Sequence, residues 1–300
     1  MISMPNIHNM ASSLLITLRE GLEIALVIAI MLAYLNKSGR GDRKRTVIAG
    51  GLAAAVTCII AGFAFRQLVG DFTGKWEQAI EGILALLAVA VLTWMIFWMR
   101  SNARGIATEL HSRIDAAIDQ SNVALASIAF IAVGREGFET VLFLLGAETA
   151  SASGTSVVIG GLIGLAISSV IGVALYAGST KVDIRSFFNW TGLLLVLFAA
   201  GLFGKGIHEF RELFELEGSW YAAPLWTIES GAFAEGTSYD FLKGLFGWHY
   251  SPERIRVVAY FAYLVPCLWL YFSGMRPATT TPAKQVDNDD SGELTSATTV

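Results

Sequence analysis

The chemistry of this chain is concentrated in a five-residue string that occurs twice, Arg19-Glu20-Gly21-Leu22-Glu23 and Arg135-Glu136-Gly137-Phe138-Glu139. On a helix the two glutamates of each copy are three residues apart, and the arginine is four from the second glutamate. All three therefore share one face. Carboxylate oxygens are the ligands that hard cations prefer, and two arginines among four carboxylates lower the local charge enough to let a bound ion leave. The guanidinium groups can also hold neighbouring carboxylates by forked hydrogen bonds. Spacing makes Glu23 and Glu139 the arginine-paired members and leaves Glu20 and Glu136 as the first choices for ligands. The same residues could be helix-locking salt bridges, since ions buried in a membrane do pair. Against this, each string has one more carboxylate than arginine, and the string recurs in both halves.

These charges sit in an unusual setting. The 300 residues are 54% hydrophobic and 15% charged, with a mean hydropathy of +0.56, which marks an integral membrane protein. A charge near the bilayer centre costs roughly 3 kcal/mol, so six uncompensated ones would cost about 18, more than the ~5–15 that folds a protein. They must be paired, hydrated or bound to something.

The elements that position them are apolar windows long enough to cross about 30 Å of hydrocarbon as helix. Seven can be placed: residues 10–36, 46–68, 76–99, 122–148, 155–178, 186–204 and 254–274. The expected architecture is all-α with seven transmembrane helices, arranged as two inverted three-helix repeats plus a seventh helix. Its divisions are an external N-terminus (1–9), a first repeat (10–99), a cytoplasmic connection (100–121) and a second repeat (122–204). An acidic external connection (205–253), the seventh helix (254–274) and a disordered cytoplasmic tail (275–300) complete it. The repeat shows in Gly50-Gly51-Leu52 and Gly160-Gly161-Leu162, 110 residues apart, and in Gly82 and Gly192 at the same offset, while the charged strings are 116 apart. Three spans is an odd number, so the two copies must be oppositely oriented, with a binding site expected near the midplane where they meet. Gly50, Ala54, Gly160 and Gly164 are small residues at four-residue spacing that suit close helix approach.

Orientation follows from Lys37, Arg40, Arg43, Lys44 and Arg45 in the first connection, with Arg100, Arg104 and Arg113 in the third. The positive-inside rule puts those connections and the C-terminus in the cytoplasm and the N-terminus outside. Trp94 and Trp98 read as interface anchors closing the third span.

Other candidates are weaker. Glu77 and Glu81 at the outer end of the third span, and Glu148 at the end of the fourth, are vestibule carboxylates or solvated helix ends. His208, Glu209 and Glu212 have helical metal-ligand spacing, yet they interleave with Ile207, Phe210, Leu213 and Phe214 as in an interfacial helix. Cys58 and Cys267 lie in apolar runs and read as small buried hydrophobes. A membrane di-iron oxidoreductase, the alternative from a different class, needs Glu-x-x-His pairs that neither string supplies. A phosphate loop for ATP-driven pumping is missing from the sequence, and a net charge of −4 argues against a nucleic-acid partner. No enzyme activity and no cofactor are expected, and membrane lipid is the expected surrounding.

The doubled string, in the first and fourth spans, resembles the Arg-Glu-x-x-Glu motifs of the oxidase-dependent iron permeases, a family that includes fungal high-affinity permeases and the permease subunit of a bacterial three-part uptake system. The resemblance covers residues of about 10–275. It implies inward iron transport, with iron as cargo, Glu20, Glu23, Glu136 and Glu139 as the iron-handling carboxylates, and Arg19 and Arg135 as their supports. It further implies partners: a periplasmic cupredoxin-like protein and a haem peroxidase in bacteria, or a multicopper oxidase in fungi. The compact length looks bacterial, which implies an inner (plasma) membrane. Some relatives are associated with lead, so another heavy-metal cation is the alternative cargo.

Overall fold

The computed structural model describes residues 10–70, 74–102, 110, 112, 114–117, 121–150, 154–177, 184–216, 220–234 and 237–273. The N-terminal segment 1–9, most of the connection 100–121 and the tail 275–300, expected to be disordered, lie outside the described residues. Within them the chain is all-helical: α1 (Ala11–Lys37), α2 (Lys44–Gly70), α3 (Lys75–Asn102), α4 (Asn122–Ala150), α5 (Gly154–Tyr176), α6 (Ile184–Leu213), α7 (Thr237–Phe246) and α8 (Arg254–Ser273). Helix is what an apolar chain with few breakers must form where backbone groups have no water to bond.

Five of these helices, α2, α3, α5, α6 and α8, are long and apolar enough to cross a membrane. The other two long ones, α1 with 27 residues and α4 with 29, carry the charged strings. The hydrophobic exposure is that of a molecule solvated by lipid. Leu52, Ile59 and Phe63 on α2, Val170 and Val173 on α5, and Trp269 on α8 all expose most of their side chains, where water would drive them inward.

Each main packing pair joins a helix of the first half to one of the second: α1 with α5, α2 with α4, and α3 with α6. α8 packs on α6, where the Tyr271 hydroxyl donates to the Asn189 carbonyl at 2.6 Å. The α1/α5 and α2/α4 pairs are parallel and close because small residues line both seams. A β-carbon at Gly50 would lie 2.3 Å from the Ala126 carbonyl oxygen, one at Gly160 2.5 Å from that of Met10, and one at Gly164 2.5 Å from that of Leu14. The glycines of the two strings use the same device, Gly21 meeting Ser168 and Gly137 meeting Cys58. Ala54 is fully buried on the same seam.

This packing sets a stability test. Gly50→Ala pushes backbone against backbone and is expected to destabilise the protein by about 1–3 kcal/mol, the usual cost of overpacking. At Gly51 the nearest atoms to a new β-carbon are side-chain carbons at 3.5 Å. Gly51→Ala is therefore expected to be neutral or to gain part of the ~1 kcal/mol by which alanine outranks glycine in a helix. Thermal unfolding of the two variants in detergent measures the contrast.

The core lies where α3, α4, α6 and α8 converge, with Ala88, Leu92, Met95, Phe143, Ala199 and Leu202 buried together. A smaller cluster packs Met31 and Leu35 of α1 against Val47, Leu125 and Ala129. α6 does not stop at Gly204 but runs on to Leu213. Its final turns are held by ion pairs to Glu81 of α3 and to Glu253, the residue before α8, as well as by apolar packing, so this stretch is helix and not loop.

Candidate ion site

The two strings face one another. α1 supplies Arg19, Glu20 and Glu23, and α4 supplies Arg135, Glu136 and Glu139. All four glutamates are buried, Glu20 completely. Tight α1/α5 and α2/α4 seams at Gly21 and Gly137 leave the opposite, charged faces turned inward.

Oxygens of Glu20, Glu136 and Glu139 lie within 4.8 Å of one another. Oxygens on opposite sides of one cation at 2.0–2.6 Å are about 4–5 Å apart, so this spacing fits a shared ion. Among the described residues no other group of three or more acidic, histidine or cysteine side chains converges in this way. One oxygen of each of the three, Oε2 in every case, is buried without a hydrogen-bond partner among the described residues. A buried unpaired polar atom costs about 1–3 kcal/mol, more when charged, and a cation is the partner that satisfies three carboxylates at once.

The arginines differ from each other. Arg19 is 2% exposed, and its Nη1 donates to Glu20 Oε1 at 2.8 Å while Nη2 lies 3.1 Å from Glu23 Oε1 without hydrogen-bond alignment. The spacing points to Glu23 as its partner, and that ion pair is formed, while the aligned hydrogen bond goes to Glu20. On α3, Met95 Sδ meets Nη1 at 3.1 Å and Met99 Sδ meets Nη2 at 3.2 Å, one sulfur on each arm of the fork. Arg135 keeps the expected partner, Nε donating to Glu139 Oε1 at 3.2 Å, with Glu136 Oε1 at 3.4 Å. Its side chain is 40% exposed, and its guanidinium lies 4.8 Å from the ring centre of Trp98 and 5.7 Å from that of Trp94, a cation–π arrangement. The two tryptophans therefore cover Arg135, beside the carboxylates, in addition to closing α3.

Sequence reasoning missed Met95 and Met99. The signal was present as Trp94-Met95 and Trp98-Met99, two doublets at four-residue spacing that place the tryptophans on one stripe of α3 and the methionines on the next.

The other candidates are in ion pairs away from this centre. Glu148 pairs with Arg66 at 2.7 Å and Glu81 with Lys205 at 2.9 Å, whereas Glu77 is an exposed residue of the first turn of α3. His208, Glu209 and Glu212 form no joint ligand set. His208 Nδ1 is 3.1 Å from Glu253 Oε2, Glu209 lies 3.7 Å from the Lys205 ammonium, and Glu212 accepts from Gln78 at 3.2 Å. Arg211 closes the network on Glu253 at 2.7 Å. Nearby, the Lys75 ammonium holds the Glu215 carboxyl below the usual range. A separate cavity of about 310 Å³ lies between α6, α8 and the preceding loop, lined by Trp226, Trp248, His249 and Arg256. Burial and the nearby Arg256 charge push His249 down to about 4. This cavity includes none of the string residues.

Residues 10–271 match the profile described as the iron permease FTR1 family. Among known proteins, the chain is 37% identical over 266 residues to the ferrous iron permease EfeU of Yersinia pestis, covering 86% of this chain and 92% of that protein. It is 35% identical over 271 residues to the ferrous iron permease EfeU of Escherichia coli O6:K15:H31 (strain 536 / UPEC), covering 89% and 96%. No solved structure matches. A multi-pass apolar helix bundle with buried, converging carboxylates, matched from end to end of its helical part, has one family reading: the chain belongs to the iron permease FTR1 family.

Proposed function

We propose that this protein carries iron ions inward across the membrane through Glu20, Glu23, Glu136 and Glu139, with Arg19 and Arg135 as their electrostatic supports. The observation that carries the reading is the convergence of Glu20, Glu136 and Glu139 from two different helices onto one buried point. The names of the relatives make ferrous iron the first cargo to try.

The transport cycle is that of a seven-span protein with two inverted repeats and its site at the midplane. The packing supports this. In repeat order, the first helix of each half packs on the second helix of the other, and the third helices pack on each other. Exchanging the halves leaves that pattern unchanged, as a two-fold relation requires. Gly21 against Ser168 and Gly137 against Cys58 are equivalent contacts under the same exchange. The N-terminus lies outside and the C-terminus in the cytoplasm, by the distribution of basic residues. A periplasmic cupredoxin-like protein and a haem peroxidase, or a multicopper oxidase, would deliver the iron.

Purified protein in sealed vesicles decides the point. Influx of ferrous or ferric iron that depends on the protein, compared with lead and with and without a pH gradient, is the expected result. Vesicles that pass none of these metals overturn the reading.

A further inference from the structure

Carboxylates alone make a poor discriminator. Calcium, magnesium and ferrous iron all accept oxygen ligands, and the harder two prefer them. A seam of four glutamates therefore explains why a cation enters but not why the cation is iron. Selectivity needs a softer donor, and two such donors, Met95 and Met99, lie beside the seam. The Arg19 guanidinium is held by Glu20 Oε1, Glu23 Oε1, Met95 Sδ and Met99 Sδ at 2.8, 3.1, 3.1 and 3.2 Å. A thioether is a weak acceptor, and packing alone would be served as well by leucine. Both sulfurs nevertheless point at the same charge, and Met95 is fully buried. Arg19 thus occupies a two-oxygen, two-sulfur nest of the kind a borderline-soft metal ion takes. Glu20 belongs both to this nest and to the three-carboxylate group, where its other oxygen is buried without a hydrogen-bond partner among the described residues.

We propose that Met95 and Met99 are the selectivity-determining residues: when Arg19 yields its place, their thioethers join Glu20 and Glu23 in a second station for the ion, next to the first and sharing Glu20 with it. The tethered guanidinium holds the station between passages, so that an ion must offer sulfur affinity as well as charge to displace it. The inference rests on the transport reading above and adds a cause for its metal preference.

The test measures iron influx into vesicles against competing calcium and cadmium, the hard and soft extremes. For the unaltered protein, cadmium inhibits far more strongly than calcium. In Met95→Leu/Met99→Leu, a replacement close in volume, the ratio of cadmium to calcium inhibition constants shifts by about tenfold or more towards calcium, tenfold being the ratio for one modest ligand interaction. A double variant that carries iron with an unchanged ratio overturns the proposal. If the double variant fails to insert, a second measurement decides: cadmium X-ray absorption on protein with Cys58→Ser and Cys267→Ser, with and without Met99→Leu alone, so that a sulfur signal lost in the single variant is traced to this pair among the seven methionines. A sulfur shell around cadmium is expected, and a spectrum with oxygen alone overturns the proposal. Absence of any iron influx by the unaltered protein counts against the transport reading, while the cadmium spectrum still decides this one.

Discussion

Glu20→Gln or Glu136→Gln is expected to reduce iron influx by at least about 100-fold while the protein reaches the membrane at its usual level. The amide keeps the shape of the side chain, removes the charge and exchanges one acceptor oxygen for a donor nitrogen. Neutralising Glu20 leaves Arg19 beside Glu23 at 3.1 Å, and neutralising Glu136 leaves Arg135 beside Glu139 at 3.2 Å, so neither change strands a buried charge, folding should not suffer, and a lost signal reports on the ion. Replacing groups that merely orient a metal ligand costs about 10–100-fold in affinity, and the loss of a ligand itself should be no smaller. The geometry also predicts an order. Glu20, Glu136 and Glu139 share the converging point and Glu23 does not, so Glu139→Gln falls with the first two and Glu23→Gln retains more uptake. Influx of radioactive iron into vesicles, normalised to protein content, gives the ranking. Near-normal influx in both Glu20→Gln and Glu136→Gln removes the carboxylates from the pathway.

The general plan was legible because it depends on period and composition. Long apolar runs dictate helices, and the recurrence of Gly50-Gly51 as Gly160-Gly161 marked both tight seams before any coordinates. The facing of the two strings was also inferable, since six charges in lipid have few places to go but towards each other. What a single sequence withholds is the register between helices. Trp94 and Trp98 end an apolar run, where aromatic residues usually mark the lipid headgroups, and the offset of α3 against α4 also brings them beside Arg135. His208, Glu209 and Glu212 had a metal-like spacing that Lys205, Arg211, Gln78 and Glu253 absorb into ion pairs and hydrogen bonds from three directions. Spacing within a helix was read correctly in each case, and the neighbour across the gap decided the role.

Arg19→Gln is expected to destabilise the protein far more than Arg135→Gln, although the two arginines stand in almost identical strings. Arg19 is 3% exposed in its side chain and is the cation within reach of both Glu20 and Glu23 on its own helix. Removing one member of a buried ion pair typically costs about 3–5 kcal/mol, because the other charge is left without compensation. Arg135 has a side chain 40% exposed beside carboxylates 9–11% exposed, so solvent screens its side of the pair and its loss costs less, nearer the ~0–1 kcal/mol of exposed pairs. Its Trp98 contact adds ~0.5–1 kcal/mol at an exposed site. The difference of roughly 1–4.5 kcal/mol is a sizeable part of the ~5–15 that holds a typical domain folded, so Arg19→Gln should also lower the amount of protein in the membrane. Thermal unfolding in detergent, with membrane abundance as the second readout, measures both. The same comparison separates support from transport: restoring the charge as Arg19→Lys should recover stability in part, but lysine cannot fork between Glu20 and Glu23 while touching both methionines. Equal losses for Arg19→Gln and Arg135→Gln would mean that the two strings are equivalent in energy as well as in sequence, and that the burial of Arg19 by Met95 and Met99 contributes nothing to holding the site.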